Sequence, residues 1–393
     1  MGTARQIWAA WLATLKAVAQ DKGVLLLLVL APLLYGFFYP WPYQTQAVTR
    51  VPVAVVDQDH SSLSRQITRF ARASPALDVR LVTGDERAAQ QALWHGEIEG
   101  YAVLPPDLKR DVVRGSAAVV TVEANGSYAL LNKAVLYGFA QAVGTVSAGV
   151  EIKKLQASGQ SALQAQASRS PINTQMVALF NPTEGYGSYV VPAVALLIIQ
   201  QTLLMGVGLL VGLWAETGQH RAKPAVWLGR ILGFSTVGYL SGLLYFGWIF
   251  WAQDFPRGSN PGGALVLLAF YVLAICTLGA LLGVWFGNRE RALQVLLFTA
   301  LPLAFVSGFS WPSEALPEFL QAARWLFPST AGIQASLRLN QMGAPLRDVW
   351  PHLFALTVIT VVAGGWLLRV CAFRPRTGSG TANAAAGNDF DRG

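Results

Sequence analysis

Two acidic residues separated by one position, Asp57 and Asp59, follow an apolar run, and paired carboxylates of this kind can bind a metal or exchange protons. No third ligand with suitable spacing accompanies them, so a turn that caps the next helix is the favoured interpretation. The histidines show no HExxH-like spacing and are expected to be solvated or capping residues: His60, His95, His220 and His352. We therefore assign no catalytic residue and no metal ligand.

The sequence also lacks the residues that would let the chain power transport alone. The dipeptide Gly-Lys is absent, so there is no GxxxxGK[ST] phosphate loop. The long apolar cores contain no Asp, Glu, Lys or His, the groups that ion-driven carriers need. Their most polar feature is Gln200 followed by Gln201, which would contact substrate or form an interhelical hydrogen bond. Both alternatives stay open, and the energy source is expected to be external.

Composition indicates a membrane protein. Of 393 residues, 53% are hydrophobic and 13% are charged, where a soluble domain usually has about 25% charged residues. The net charge of +8 would suggest nucleic acid in a soluble protein. However, residues 41–185 carry 13 basic and 12 acidic side chains, so the positive surplus flanks the apolar stretches. That distribution fits membrane orientation, and no nucleic-acid partner is expected.

Six apolar stretches approach or exceed the roughly 20 residues that a membrane-spanning helix needs. They are Val24–Pro40, Tyr186–Leu213, Val226–Ala252, Ala264–Phe286, Ala292–Ser310 and Leu353–Phe373. Four basic clusters fall on one side of this arrangement: Arg5, Lys16 and Lys22; Arg221, Lys223 and Arg230; Arg289 and Arg291; Arg369, Arg374 and Arg376. The positive-inside rule then predicts that both termini are cytoplasmic and that the long balanced segment lies outside.

The resulting fold class is an α-helical integral membrane protein with six transmembrane helices and an inserted extracytoplasmic α/β domain. Apolar residues at helical spacing predict an amphipathic interfacial helix at the N-terminus. Strands are expected at Val51–Val56, Leu77–Val82, Ile98–Leu104 and Ala117–Val122, with helices between them. Residues from Tyr128 to about Ala167 predict one long helix or a helical hairpin. The predicted segments are an interfacial helix (1–22), a first span (23–41), an outer domain with a helical stalk (42–185), spans two to six (186–373) and a flexible cytoplasmic tail (374–393).

Small residues and prolines add two further expectations. Glycines recur every fourth residue in pairs that predict close helix packing, among them Gly208 with Gly212 and Gly279 with Gly283. The segment 311–350 is too apolar for a free loop and is broken by prolines. It predicts short helices that re-enter the membrane from the outside, which requires protein to bury their ends.

The chain as a whole resembles the type-2 family of ABC transporter permeases, in the multidrug-efflux-like branch with a large domain between the first and second spans. Three segments carry the resemblance: Val53 to Ser64, with AVVDQDHSSLSR (residues 54–65) in context, VLPPDL at 103–108 with Gly115, and Ser307-Gly308-Phe309 with Pro312, Pro317, Pro328 and Gly343. The loop Glu216-Thr217-Gly218 is similar to the family's cytoplasmic loop.

This resemblance implies a permease subunit that exports an amphiphilic or drug-like substrate by alternating access. It implies a homodimer or heterodimer with two cytoplasmic ATP-binding subunits, which bind ATP and Mg²⁺ while this chain holds no cofactor. Membrane lipid is a further partner, and a periplasmic adaptor is left open. In the family, the N-terminal helix and first cytoplasmic loop contact the ATPase, which suggests five coupling residues: Arg5, Trp8, Glu216, Gly218 and Arg221. The alternative is a membrane-anchored extracytoplasmic binding, scaffold or receptor protein without transport; the six spans favour the exporter in a bacterial inner membrane.

Overall fold

The structure is a computed structural model that describes residues 2–170, 177–182, 184–255 and 258–372. The described residues form two compact units. One unit contains the residues up to Gln44 together with those from Glu184 onward, and the other contains the residues between them. The N-terminal helices of the first unit follow one another almost without a break: α1 (Thr3–Gln20), α2 (Lys22–Leu25), a π-helical turn (Leu26–Leu30) and α3 (Ala31–Phe38).

The second unit contains a four-stranded sheet and five helices. In chain order these are β1 (Val51–Asp57), α4 (Ser62–Ala73), β2 (Leu77–Thr83), α5 (Glu86–Trp94), β3 (Gly100–Leu104), α6 (Leu108–Arg114), β4 (Thr121–Ala124), α7 (Ala129–Ala157) and α8 (Ala162–Arg169). The strand order is β2-β1-β3-β4; β1 pairs in parallel with both neighbours, and β4 is antiparallel to β3. The first three strands lie where the sequence predicts them, whereas the fourth begins at Thr121 instead of Ala117.

The central strand β1 explains why this sheet has two cores. Alternate side chains of a strand point to opposite faces, so Val53 and Val55 join one buried cluster while Ala54 and Val56 join another. Helix α7 covers the first of these faces with residues three and four apart: Val135, Phe139, Ala142 and Val146. The predicted long helix or hairpin is therefore two helices, of which α7 is part of the sheet's own core and α8 packs on α7.

The rest of the first unit is a helical bundle with short connections. Its elements are α9 (Tyr186–Glu216), α10 (Pro224–Leu243), a second π-helical turn (Leu244–Ile249), α11 (Phe250–Ala252), α12 (Pro261–Phe286), α13 (Arg289–Phe298), α14 (Ala300–Val306), α15 (Glu318–Ala323), α16 (Pro328–Ser336), a third π-helical turn (Leu337–Gln341) and α17 (Trp350–Ala372). Helix α9 is buried on nearly all sides, which makes it the centre of the bundle.

Six helices in the described part of the chain are long and apolar enough to cross a membrane. Five of them correspond to predicted spans: Lys22–Tyr43, Tyr186–Glu216, Pro224–Ala252, Pro261–Phe286 and Leu346–Ala372. The predicted fifth span, Ala292–Ser310, is divided into α13 and α14 by a break at Thr299. The remaining long apolar helix is α7, whose apolar residues pack against the sheet. The protein is thus mostly helical and has the construction of an integral membrane protein.

The segment between α14 and α17 consists of short helices, and prolines precede or begin two of them. Pro317 stands before α15, and Pro328 is the first residue of α16. Helix α16 is almost wholly buried, and a Cβ atom at Gly332 would lie 2.4 Å from the ring of Tyr271 in α12. Protein therefore surrounds α16, as the re-entrant hypothesis requires. The predicted tail, residues 374–393, lies outside the described residues.

Candidate functional site

The predicted interfacial helix α1 lies directly against α10. A Cβ atom at Gly229 would be 2.3 Å from the carbonyl oxygen of Ile7, and one at Gly233 would be 2.9 Å from Cβ of Thr14. The glycines thus let the two helix backbones touch, as small residues do between membrane helices. The indole N–H of Trp11 also donates a hydrogen bond to Oγ1 of Thr236 at 3.0 Å. Movement of α1 would therefore be transmitted to α10, the helix that follows the loop beginning at Thr217.

The two residues of α1 proposed for coupling face away from α10. Arg5 is exposed, and Trp8 has 58% of its surface accessible. The ring of Trp8 stacks on that of Trp11, with 4.8 Å between the ring centroids. Trp8 is consequently held in one orientation while most of its surface is free for a lipid headgroup region or a partner protein.

Three charged side chains meet where α1, α9 and α13 end or begin, and we call Asp21, Glu216 and Arg289 the polar clamp. The guanidinium group of Arg289 donates two hydrogen bonds to the carboxylate of Asp21, at 2.5 and 2.8 Å. The backbone N–H of Arg289 donates to Oε1 of Glu216 at 2.8 Å. Asp21 Oδ1 also caps α2 by accepting hydrogen bonds from two backbone N–H groups at 3.0 Å. The clamp therefore ties the first span, the central helix α9 and α13 together at one end of the bundle.

Electrostatics and local packing both favour the clamp. The hydrogen bonds from Arg289 hold the pKa of Asp21 below its usual range, and the same contact raises the pKa of Arg289. Glycines leave room for it: a Cβ atom at Gly212 would lie 3.0 Å from Cα of Arg289, and one at Gly23 would lie 3.1 Å from Nη2. Glu216 places its carboxylate at the N-terminus of α13, where a negative charge is favourable.

The loop after α9 is short, exposed and fixed at both ends. Gly218 has a φ of +75° and follows the last turn of α9, a position that glycine occupies without strain. Arg221 is exposed. At the far end of the loop, the indole N–H of Trp227 donates to the carbonyl oxygen of His220 at 3.1 Å. The loop thus presents Glu216, Gly218 and Arg221 on the surface from a rigid base.

Arg230 lies beside this loop and is held by aromatic rings. Its guanidinium carbon is 4.2 Å from the ring centroid of Trp214 in α9 and 5.0 Å from that of Trp227 in α10. Cation–π contacts of this kind stabilise a charge near the end of a membrane helix. Arg230 therefore links α9 to α10 near the loop that connects them.

The four glycines proposed for helix packing all lie at close contacts between α9 and a neighbouring helix. Cβ atoms at Gly279 and Gly283 of α12 would lie 3.2 Å from Cβ of Val207 and 2.8 Å from Cβ of Val211. A Cβ atom at Gly208 would lie 2.8 Å from Leu296 of α13, and Gly212 meets the start of that same helix. Gly208 and Gly212 of α9 thus face α13, whereas Gly279 and Gly283 of α12 pack against α9.

The two central glutamines have different surroundings. Nε2 of Gln201 donates at 3.3 Å to the carbonyl oxygen of Leu296 and to Oγ1 of Thr299, at the break between α13 and α14. Gln200 is fully buried, and within the described residues neither atom of its amide group has a hydrogen-bond partner. Buried polar atoms without partners are rare and mark a place where another group or a rearrangement is to be sought. Gln200 fits a pathway role better than Gln201, which fastens the helix break.

The acidic pair after β1 forms the capping turn that the sequence favours. Oδ1 of Asp57 accepts hydrogen bonds from the backbone N–H groups of Asp59 and His60, at 3.1 and 2.9 Å. Its Oδ2 accepts from the hydroxyl of Ser64 in α4 at 2.9 Å. The carboxylate of Asp57 is therefore engaged in local structure.

Sequence reasoning did not find Asp21 and Arg289 as site residues. Asp21 separates an amphipathic helix from an apolar one, which is an N-cap position, and this was the available signal. Arg289 counted only toward membrane orientation. Because these two residues are 268 positions apart, no spacing rule joins them.

The helical bundle contains helices long enough to span a membrane, and a separate unit with a sheet is inserted after the first span. These features define a multi-pass integral membrane protein. Comparison with known families specifies it further, because residues 22–368 match the family described as ABC-2 family transporter protein. The match covers most of the chain, and the protein belongs to this family. It is accordingly an ABC transporter permease, a transport subunit of the membrane.

Three relatives illustrate the range of the family. Probable multidrug ABC transporter permease YbhR of Escherichia coli is 22% identical over 375 residues, which are 91% of this chain and 96% of the relative. Inner membrane transport permease YhhJ of the same species is 22% identical over 402 residues, 96% of this chain and 98% of the relative. Linearmycin resistance permease protein LnrN of Bacillus subtilis is 24% identical over 165 residues, 40% of this chain and 42% of the relative.

Proposed function

We propose that this protein is the membrane-spanning subunit of an ATP-driven exporter that moves an amphiphilic or drug-like substrate by alternating access. Membership of the ABC-2 family supports the transport role, and similarity to permeases described as multidrug and linearmycin resistance proteins supports the substrate class. The chain has no phosphate loop. ATP and Mg²⁺ are therefore bound by separate cytoplasmic ATP-binding subunits, two for each pair of permeases.

The observation that carries this proposal is the polar clamp. It joins the first span, α9 and α13 beside an exposed loop and an exposed face of α1. A partner that pushes on the loop or on α1 thereby acts on three membrane helices at once. Arg5 and Trp8 on α1, with Glu216, Gly218 and Arg221 on the loop, are the proposed contacts.

The location and partners follow from the same reasoning. In this proposal both termini lie in the cytoplasm of a bacterium and residues 43–180 lie outside its inner membrane, an orientation that the basic clusters support. The permease acts as a homodimer or heterodimer, with an adaptor protein as a further partner outside. Gln200 and Gln201 lie on the substrate pathway, with Gln200 as the contact and Gln201 as the residue that holds the adjacent helix break.

The proposal is tested by changing the charge of the loop and measuring assembly and activity. In complexes with the cognate ATP-binding subunit, we expect Glu216→Lys and Arg221→Glu to reduce co-purification of that subunit or to abolish substrate-stimulated ATP hydrolysis. Glu216→Gln removes the charge but keeps an oxygen that can accept the hydrogen bond from the N-terminus of α13. Comparing it with Glu216→Lys therefore distinguishes the effect of the charge from the effect of that hydrogen bond. Asp254→Lys is the matched control, because it makes the same charge reversal in the exposed connection after α11.

Two results would contradict the proposal. If both loop variants kept normal expression, ATPase binding and transport, the loop would be only a connector. If proteoliposomes containing this chain alone moved substrate on a proton or sodium gradient, the energy source would be wrong, whatever the family relationship.

A further inference from the structure

A cavity of about 250 Å³ lies in the helical bundle, and its lining includes neither the clamp residues nor the two glutamines. Its walls come from Leu196 of α9, one turn before Gln200, from the end of α10 and the π-helical turn Leu244–Ile249, from the first half of α12, and from the end of α16 with the π-helical turn Leu337–Gln341. The lining is mainly apolar, and Leu243 and Leu265 at its edge are 38% and 45% exposed. Exposed leucines on membrane-spanning helices face hydrocarbon, so the cavity opens toward lipid.

The two π-helical turns account for the space. A π-helical turn inserts an extra residue and displaces the side chains that follow, and such turns are frequent at functional sites. Here they occur at Leu244–Ile249 and Leu337–Gln341, and each contributes residues to the lining of the cavity. Gly247 lies within the first turn, and a Cβ atom built on it would meet no other atom within 4 Å. The backbone therefore leaves a volume that no side chain fills.

The length of the cavity matches one leaflet of a bilayer. Its lining extends along α12 from Pro261 at the helix start to Tyr271, and ten residues of helix correspond to about 15 Å. The hydrocarbon core of a bilayer is about 30 Å thick. The cavity thus extends from the level of the connecting loops to about the middle of the hydrocarbon.

The two ends of the cavity differ in polarity. At the loop end, Asn340 is 5% exposed; its Nδ2 donates to Oγ of Ser336 at 3.0 Å, and its backbone oxygen accepts from the N–H of Ser259. An amide NH₂ has a second N–H and its oxygen can accept as well, so Asn340 can bind an ester or carboxylate group. At the deep end, the hydroxyl of Tyr271 donates to the carbonyl oxygen of Leu196, which leaves an apolar floor.

We propose that this cavity binds one acyl chain of a membrane phospholipid, with the ester group of that chain hydrogen-bonded by Asn340. The apolar walls, the opening toward lipid, the one-leaflet length and the polar group at the loop end all fit this occupant. The site belongs to the outer leaflet, an assignment that rests on the orientation given under the proposed function. Binding itself depends on neither the ATPase nor transport.

The test is photocrosslinking of the full-length protein in nanodiscs with a trace of phospholipid that carries a diazirine midway along one acyl chain. Crosslinked peptides are identified by mass spectrometry, and we expect the walls of the cavity to be labelled more strongly than the exposed face of α17. Gly247→Leu fills part of the cavity and should reduce labelling of its walls at least about tenfold. This is the loss of affinity expected when two methylene groups of the acyl chain can no longer be buried in the cavity. Gly365→Leu is the matched control, because that glycine also has open space around its Cβ position but lies on α17.

Two further variants complete the test. Ala264→Phe fills the cavity from α12. It is used in place of Gly247→Leu if the Gly247→Leu variant no longer unfolds in a cooperative transition. Asn340→Leu should reduce labelling about two- to twelvefold, the usual effect of one lost hydrogen bond. The proposal is overturned if the filled variants and the Gly365→Leu control are labelled equally. It is also overturned if a single-chain diazirine fatty acid labels the walls and the phospholipid probe does not, since the occupant would then be a single-chain amphiphile.

Discussion

Removal of the ion pair in the polar clamp should destabilise the bundle by an amount that the structure allows us to estimate. Asp21 and Arg289 share two hydrogen bonds, and their side chains are 16% and 29% exposed. In exposure, this ion pair is intermediate between a solvent-exposed pair, which contributes about 0–1 kcal/mol, and a buried pair, whose disruption costs about 3–5 kcal/mol. For Asp21→Asn and Arg289→Gln we therefore expect a coupling energy of about 2 kcal/mol in a double-mutant cycle.

The pH dependence of this contribution has a definite sign. The pKa of Asp21 is lower in the folded protein than its ordinary value of 3.8, because Arg289 stabilises the carboxylate. The stabilisation is therefore fully present above that ordinary value and is lost as the pH falls through the lower pKa of the folded state. The difference in stability between the wild type and Asp21→Asn should stay constant from about pH 8 to pH 5 and shrink only below about pH 4.

Unfolding can be followed by the fluorescence of the 13 tryptophans in protein reconstituted into nanodiscs. Arg347→Gln is the control: its contact with Asp348 is 3.5 Å and both side chains are largely exposed, so we expect no measurable change. A coupling energy below about 0.5 kcal/mol for the clamp would refute the reasoning. In the assembled exporter, Asp21→Asn and Arg289→Gln should retain bound ATPase but lose substrate-stimulated hydrolysis, because these two clamp residues transmit motion and are not among the proposed docking contacts.

Other parts of the structure give further predictions. Gly229→Leu should release α1 from α10, since even a Cβ atom would clash with the backbone of α1, and limited proteolysis should then cleave near the N-terminus; unchanged protection would contradict this contact. Gln201→Leu should lower the unfolding temperature because two hydrogen bonds are lost, whereas Gln200→Leu should not lower it but should reduce transport. Without the native cysteines, a cysteine at Ser116 should react with an impermeant maleimide in intact cells and one at Gln219 should not; the reverse would exclude the proposed orientation.

Local pattern was sufficient for most elements of the fold. Apolar runs located five membrane-length helices, and strand periodicity located β1, β2 and β3, because both signals arise from residues close in sequence. Hydropathy alone could not distinguish α7 from a membrane helix. Its composition is that of a span, but one face is buried against a sheet that lies mostly earlier in the chain. Packing partners, which the pattern does not specify, decide the role of such a helix.

Long-range contacts explain what the sequence did not reveal about the candidate site. Gly229 and Gly233 are also four residues apart, as in a packing pair, but the helix that contacts them is α1 and not another span. The clamp joins residues from three distant parts of the chain, and only its N-cap had a local signature. The break at Thr299 has a local cause by contrast, because Pro302 lacks the N–H that a continuous helix would use; the long-range part is the pair of hydrogen bonds that Gln201 donates at the break.

The distribution of charge within the bundle argues for mechanical coupling. An ion-driven carrier places titratable groups in the middle of its spans, where their protonation or ion binding changes which conformation is favoured. Here two charged contacts of the described bundle, the Asp21–Arg289 pair and Arg230 beside two tryptophan rings, lie at helix ends near the loop that follows α9. The middle of α9 contains instead the neutral amide of Gln200, which has no hydrogen-bond partner among the residues that the structure describes. A force at the helix ends can move α9 relative to its neighbours, and Gln200 is the group whose surroundings such a movement would most readily improve.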